Sequence, residues 1–346
     1  MRLARLMTKL DKFLNVHVKP RNQHCTFISS TTDTSCTQDK TYKVAVVGSG
    51  AIGLLYGSIL SKSPNCDVHF LLRSDYDHVM KRGVEIHQHD GNIIRLYDSS
   101  KFHKDVSTII PSMVRDQCKS VEESKIDGVD WILVCLKSPA LLPEGENDYN
   151  ADIKSIMNPL VGNNTRIMVM MNGLNTENPF KMWFGDCRVF GVMCFVCANR
   201  MKRSDKKDTP LIVKHIAHGN LHIGHAEDDP MQIQDVTELW KNTWLEDKVT
   251  TAPSLLSARW SKLFWNLPFN GIAIAMGGIS TDAIATNPEL REFADKILAD
   301  VIKLANADLT LRGYDEKHMY KGKSIHQVTL HLCTCLPMLT STDIYK

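Results

Sequence analysis

Residues 43–60 read KVAVVGSGAIGLLYGSIL, and this stretch decides the fold. Val44 to Val47 is apolar throughout, as a strand covered on both faces requires. It runs into Gly48, Gly50 and Gly53, after which the apolar residues take up a helical period. Strand, GxGxxG turn and helix together form the opening of a βαβ unit that cradles a dinucleotide. There the first glycine makes the tight turn, the second lets backbone approach a pyrophosphate, and the third lets helix pack closely on strand. Gly48, Ser49, Gly50, Ala51, Ile52 and Gly53 are therefore the candidate cofactor-binding turn, with the helix N-terminus turned toward the phosphate charge.

Working outward, Asp67 to Leu72 (DVHFLL) supplies the second strand and ends in Arg73. An acidic residue at this place accepts from the ribose 2′-hydroxyl of NAD, whereas an arginine suits a 2′-phosphate, so Arg73 favours NADP(H). Asp75 reads either as a solvated loop charge or as a weakening of that preference. Lys81 to Tyr97 alternates around Asp90-Gly91 and predicts an inserted hairpin. Trp131 to Leu136 (WILVCL) is a buried parallel strand that delivers Lys137 to the crevice edge, and Arg166 to Met171 (RIMVMM) delivers Asn172-Gly173. Val189 to Ala198 (VFGVMCFVCA) predicts a further strand, with Ala198 at its end on the same crevice. Lys137, Asn172 and Ala198 join the cofactor-binding candidates.

With 346 residues the chain exceeds one compact core and predicts two domains, 42–228 of the doubly wound α/β class and 229–346 all-α. The net charge of +2 leaves no basic excess for nucleic acid. No apolar run reaches the roughly 20 residues of a membrane span. Ten cysteines without a framework read as reduced thiols, Cys194-x-x-Cys197 included, and no metal site is expected. Residues 1–24 are basic and amphipathic with a Ser/Thr-rich stretch behind them. Segment 1–41 thus reads either as a mitochondrial transit peptide or as a tail without an address, which leaves a cytoplasmic or mitochondrial location.

His215, His218, His222 and His225 would share a helical face, but Gly219-Asn220 and Gly224 break such a helix and predict hairpin strands instead. From Met231 onward the pattern reads as helical throughout. Gln234 to Leu245 is amphipathic, and Asn287 starts a helix running to about Arg312. Between them lies Ala258 to Met276, ARWSKLFWNLPFNGIAIAM. Lys262, Asn266 and Asn270 fall at i, i+4 and i+8, a polar stripe on an otherwise apolar helix kinked around Pro268. A buried ammonium and two amides need partners, and a ligand is one candidate.

These residues carry a resemblance to the ketopantoate reductases (2-dehydropantoate 2-reductases). It rests on GSGAIG at Gly48 to Gly53, strand-end Lys137, Asn172-Gly173, and the KxxxNxxxN of Lys262, Asn266 and Asn270, over about residues 43–345. The resemblance implies an N-terminal NADP-binding Rossmann domain joined to a helical one. It implies hydride transfer from nicotinamide to the keto carbon of a small-molecule 2-keto acid, with Lys262 as proton donor. Asn266 and Asn270 would hold the substrate, Asn172 would lie by the nicotinamide, and a homodimer is left open. It also implies a serine segment, matched by Pro337 to Asp343 with Ser341 out of register. A glutamate expected about a dozen residues further on does not occur before Lys346, which puts catalytic competence in question.

Overall fold

The computed structural model describes residues 41–110, 113, 128–137, 149–201 and 209–320. Segments 1–40 and 202–208 and the Pro337–Asp343 stretch lie outside the described residues.

Strand β1 (Tyr42–Val47) pairs in parallel with β2 (Cys66–Leu71) on one side and β6 (Trp131–Val134) on the other. Between β1 and β2 runs α1 (Ala51–Leu60), and the short α2 (Tyr76–Arg82) follows β2. The expected hairpin is present as β3 (Val84–His87) and β4 (Ile93–Leu96), antiparallel to each other. It is not a detached insertion, because β3 also pairs in parallel with β9 (Leu211–His225). With β5 (Phe102–His103), β7 (Arg166–Val169), β8 (Val189–Arg200) and β10 (Val249–Ala252), the ten-stranded sheet runs β4-β3-β9-β8-β7-β6-β1-β2-β5, with β10 beside β9.

Alternate residues of the central strands serve the two faces. Val44, Val46, Trp131 and Leu133 pack with Leu54, Leu55 and Ile59 of α1. Ala45, Val47, Ile132 and Val134 pack on the other face with Ile153 and Met157 of α3 (Tyr149–Met157) and Phe180 of α4 (Asn178–Phe184). Full burial of each such Val, Leu, Ile or Phe contributes roughly 1.5–3 kcal/mol before the entropy of ordering is counted. Strands β8, β9, β3 and β4 also touch α1, so the sheet curls around that helix.

Beyond residue 231 the chain is not helical throughout. Helix α5 covers only Gln234–Leu239, and Trp240 and Leu245 turn back into the core under α1. The β-branched run of Val249–Ala252 then forms β10, which its Thr-Thr centre favours over a helix. The helical region proper begins at α6 (Leu255–Trp265), whose cap Ser254 accepts from Ser257 N–H. After it come a π-helical turn (Asn266–Asn270), α7 (Gly271–Ala275), α8 (Thr281–Thr286) and α9 (Pro288–Leu311). The expected start of α9 is confirmed, with Asn287 accepting from the N–H groups of Glu289 and Leu290. Trp260 and Phe264 of α6 bury against Leu298, Val301, Ala305 and Leu309 of α9. Among the described residues no helix is long and apolar enough to cross a membrane.

Candidate active site

Because β1, β6 and β7 are parallel neighbours, their carboxyl ends open on one sheet edge. Gly48 leaves β1 there, Lys137 follows β6 and is exposed, and Asn172 follows β7 and is exposed beside Gly173 at φ 120°. The glycine turn divides its tasks as the sequence suggests. Gly48 sits at φ 98°, and a Cβ there would lie 2.8 Å from the Cys135 carbonyl carbon and oxygen. A Cβ at Gly53 would strike the Gly48 carbonyl oxygen, so that glycine lets α1 seat against β1. At Gly50 an added Cβ meets nothing within 4 Å. This glycine guards open space in front of the helix, where a pyrophosphate would lie. The first turn of α1 carries no acidic side chain to compete for its N–H groups. Ser49 Oγ donates to the Leu71 carbonyl at 2.7 Å and pins the turn to β2. These features fit a dinucleotide.

At the end of β2, Arg73 and Ser74 are exposed. Asp75 is not the solvated charge that its loop position suggests. It is 5 % exposed and ion-paired with Arg200, the last residue of β8.

Lys262 reaches the same sheet from the helical side. Its Nζ donates to the Cys194 carbonyl of β8 at 2.7 Å and stands 4.2 Å from the centre of the Phe195 ring. Burial lowers its pKa to about 8, the Arg259 charge adds to that effect, and a negative Cys194 would oppose it. Burial pushes the Cys194 thiol up to about 12, so around neutral pH that side chain brings no charge. An ammonium has three donors, and one is spent on the Cys194 carbonyl.

Arg259, one turn before Lys262, escaped the sequence reading. Its guanidinium, 3 % exposed, donates through Nε to Glu177 at 2.9 Å and through Nη2 to the Val169 carbonyl at 3.1 Å. It also donates to Glu177 through Nη2 and to the Met171 carbonyl through Nη1. One buried side chain thereby ties α6 to the end of β7 and to the turn that carries Asn172. A lone arginine in an apolar run was the available signal; Glu177 offered none.

The polar stripe exists in altered form. In a regular α-helix a residue at i+8 has drifted about 80° from its origin. The π-turn of Asn266–Asn270, placed where Pro268 cannot donate to an α-helical carbonyl, rotates less per residue and reduces that drift. Asn270 Nδ2 donates to Asn266 Oδ1 at 3.2 Å; Asn266 is half-buried and Asn270 exposed. The stripe thus opens to solvent beyond Lys262. Leu267, an apolar residue of this turn, is 43 % exposed.

Two expectations need correction. The strand carrying Ala198 continues to Arg200, so Ala198 is internal, paired with His215 and packed on the α1 core. The four histidines lie on the single strand β9, and Gly219 marks a bulge with His218 at φ 65° and Gly219 at φ 127° rather than a chain reversal. The long β8–β9 pairing supplies the hydrogen bonds that a turn would have broken.

The family model described as Ketopantoate reductase PanE/ApbA matches residues 44–228, and that of its C-terminal part matches residues 254–332. A 2-dehydropantoate 2-reductase of Nostoc sp. (strain PCC 7120) is 25% identical over 262 residues, covering 75% of this chain and 71% of the relative. The crystal structure of 2-dehydropantoate 2-reductase from Geobacter metallireducens GS-15 matches with a TM-score of 0.66 and 25% identity, covering 86% of this chain and 85% of that one. D-mandelate dehydrogenase, solved with NADH and anilino(oxo)acetate, shares the fold at a TM-score of 0.62 and 16% identity, over 88% of this chain and 83% of that one. With both parts of the family's plan matched along its length, the chain belongs to the ketopantoate reductase family of oxidoreductases.

Proposed function

We propose that the chain reduces 2-dehydropantoate to pantoate with NADPH. The observation that carries this reading is the Lys262 ammonium, held on the Cys194 carbonyl of β8 in the same sheet that carries the glycine turn. NADPH, when bound, supplies the hydride for the keto carbon. Gly48 to Gly53 would hold its pyrophosphate, Arg73 its 2′-phosphate, and Lys137 and Asn172 would meet the nicotinamide half.

Lys262 does the proton work. As the C=O bond of the keto acid becomes C–H and C–O, Nζ gives a proton to the oxygen and becomes the neutral amine, which solvent reprotonates. A pKa of about 8 keeps the donor mostly charged near neutrality while making it a far better acid than an exposed lysine. In its charged form it also opposes the developing negative oxygen, and desolvation strengthens that attraction. Asn266 and Asn270 would orient the substrate's carboxylate or hydroxyl.

The test is NADPH consumption by the purified protein over a panel of 2-keto acids: 2-dehydropantoate, its unbranched analogues and phenylglyoxylate. Turnover led by 2-dehydropantoate supports the reading. Turnover led by phenylglyoxylate would make the protein a hydroxy-acid dehydrogenase of the plan shared with D-mandelate dehydrogenase. Cofactor binding with no turnover on any member would reduce it to a binding protein.

A further inference from the structure

Strand β8 overshoots its parallel neighbour. Only Val189 to Gly191 pair with β7, after which β8 continues alongside β9 to Arg200. Its register shifts twice on the way, between Phe195 and Val196 and between Cys197 and Ala198. The extra residues at both shifts, Gly219 and Ile216, belong to β9, so β8 itself runs on without an inserted residue. The strand therefore serves two places about 20 Å apart along its length. Cys194 and Phe195 hold Lys262, and Arg200 meets Asp75 across 125 residues of sequence.

Asp75 stands two residues beyond Arg73, at the end of the strand where the ribose of the adenosine half would lie. Its side chain does not cap α2, although it occupies the capping position. The carboxylate is 7 % exposed and its partner Arg200 is 43 % exposed. A carboxylate at this end of β2 ordinarily favours NAD, since it accepts from the 2′-hydroxyl and repels a 2′-phosphate of about −1.5 to −2 charges. Bound to Arg200, this one faces away from that task.

We propose that Arg200 is a cofactor-specificity residue of this enzyme: by engaging Asp75 it cancels an NAD-type determinant and leaves Arg73 to recognise the 2′-phosphate of NADPH. The inference rests on the proposed NADPH-dependent reduction and names a part of its selectivity. Arg73 attracts the phosphate, and Arg200 removes what would oppose it.

The experiment compares kcat/KM for NADPH and for NADH in the full chain carrying Arg200→Gln, Asp75→Asn, or both, with thermal melting of each variant. Arg200→Gln is expected to lower kcat/KM for NADPH about tenfold, the order of effect of one uncompensated like charge near the 2′-phosphate. NADH is expected to be unaffected or improved. Asp75→Asn added to Arg200→Gln is expected to restore the NADPH:NADH ratio to within about twofold of the wild-type value, because the charge to be cancelled is gone. Asp75→Asn alone is expected to keep the NADPH preference. A double variant as poor with NADPH as Arg200→Gln alone would overturn the proposal, since Arg200 would then be touching the phosphate itself. Equal losses with both cofactors would also overturn it, since a merely structural ion pair would weaken both alike. Wild-type protein without preference for NADPH would remove the reading beneath it, and that outcome is visible before any substitution is made.

Discussion

The glycine turn of Gly48–Gly53 and Lys262 both meet the one sheet, but they are held there by different means. The turn is a local object: its shape follows from φ at Gly48 and from the space forbidden to a side chain at Gly53. Lys262 is placed from a distance. Its own partner is 68 residues away, and the Arg259 contacts that seat its helix span 82 to 90 residues. A cofactor cradle written in local spacing tolerates little added volume. A proton donor delivered by docking tolerates little loss of the dock.

The sharpest way to separate the two is Lys262→Ala. A positioned general acid contributes typically 10²–10⁴ in rate, so kcat is expected to fall about a thousandfold. NADPH affinity, read by fluorescence titration, is expected to stay within about twofold, because the proposed role sets the side chain against the keto acid and not the pyrophosphate. Retention of a tenth of the turnover or more would remove Lys262 from the proton step.

Next in size is the dock itself. Arg259→Met leaves Glu177 buried without its guanidinium and also orphans the Val169 and Met171 carbonyls. Breaking a buried pair from one side costs about 3–5 kcal/mol, to be read as a shift in the urea midpoint. Glu177→Gln keeps a hydrogen-bond acceptor in place and is expected to cost less. Equal midpoints for wild type and Arg259→Met would mean that the helical region seats without this residue.

This contrast also explains what could be read from the chain alone. The central strands, the glycine turn, the hairpin at Asp90-Gly91 and the start of α9 follow from patterns a few residues long, and each lies where the sequence puts it. Val249–Ala252 was legible too, as a run of β-branched residues, but was overruled by its helical surroundings. The partners of Lys262 and Arg259 include backbone carbonyls of Cys194, Val169 and Met171, which carry no residue-type signal at all. Glu177 and Arg200 each look like ordinary surface charges until the curl of the sheet brings Arg259 and Asp75 to them. The π-turn lies between these cases: Pro268 announces a broken ladder, but not which way the helix will repair it.

A smaller effect breaks the cradle down further. Gly53→Ala forces a Cβ onto the Gly48 carbonyl, and overpacking of this kind costs about 1–3 kcal/mol of stability. Gly50→Ala adds a Cβ into open space, so the urea midpoint is expected to stay where it is while KM for NADPH rises severalfold. Should both variants lose stability alike, Gly50 would be part of the packing and not a guard of ligand space.

The smallest effect is a matter of pH, and it too divides the two regions. In the proposed reaction Lys262 is the acid, so its active form is the ammonium, complete below its pKa of about 8 and lost as pH rises through it. The groups near it give this limb its position: burial and Arg259 hold the value down, Cys194 stays a neutral thiol, and His218 on β9 feels the Lys262 charge while burial keeps its own pKa below the usual histidine value. Keto-acid reduction, measured as kcat/KM, is therefore expected to be flat up to about pH 8 and then to fall about tenfold for each further unit. The reverse oxidation needs the free amine and is expected to rise over the same range. The glycine turn carries no group that titrates there, so NADPH affinity is expected to hold across the range where reduction fails. A reduction profile that stays level to pH 10 would place the donor's pKa at that of an ordinary exposed lysine, and the desolvation imposed by docking would then have no part in making it an acid.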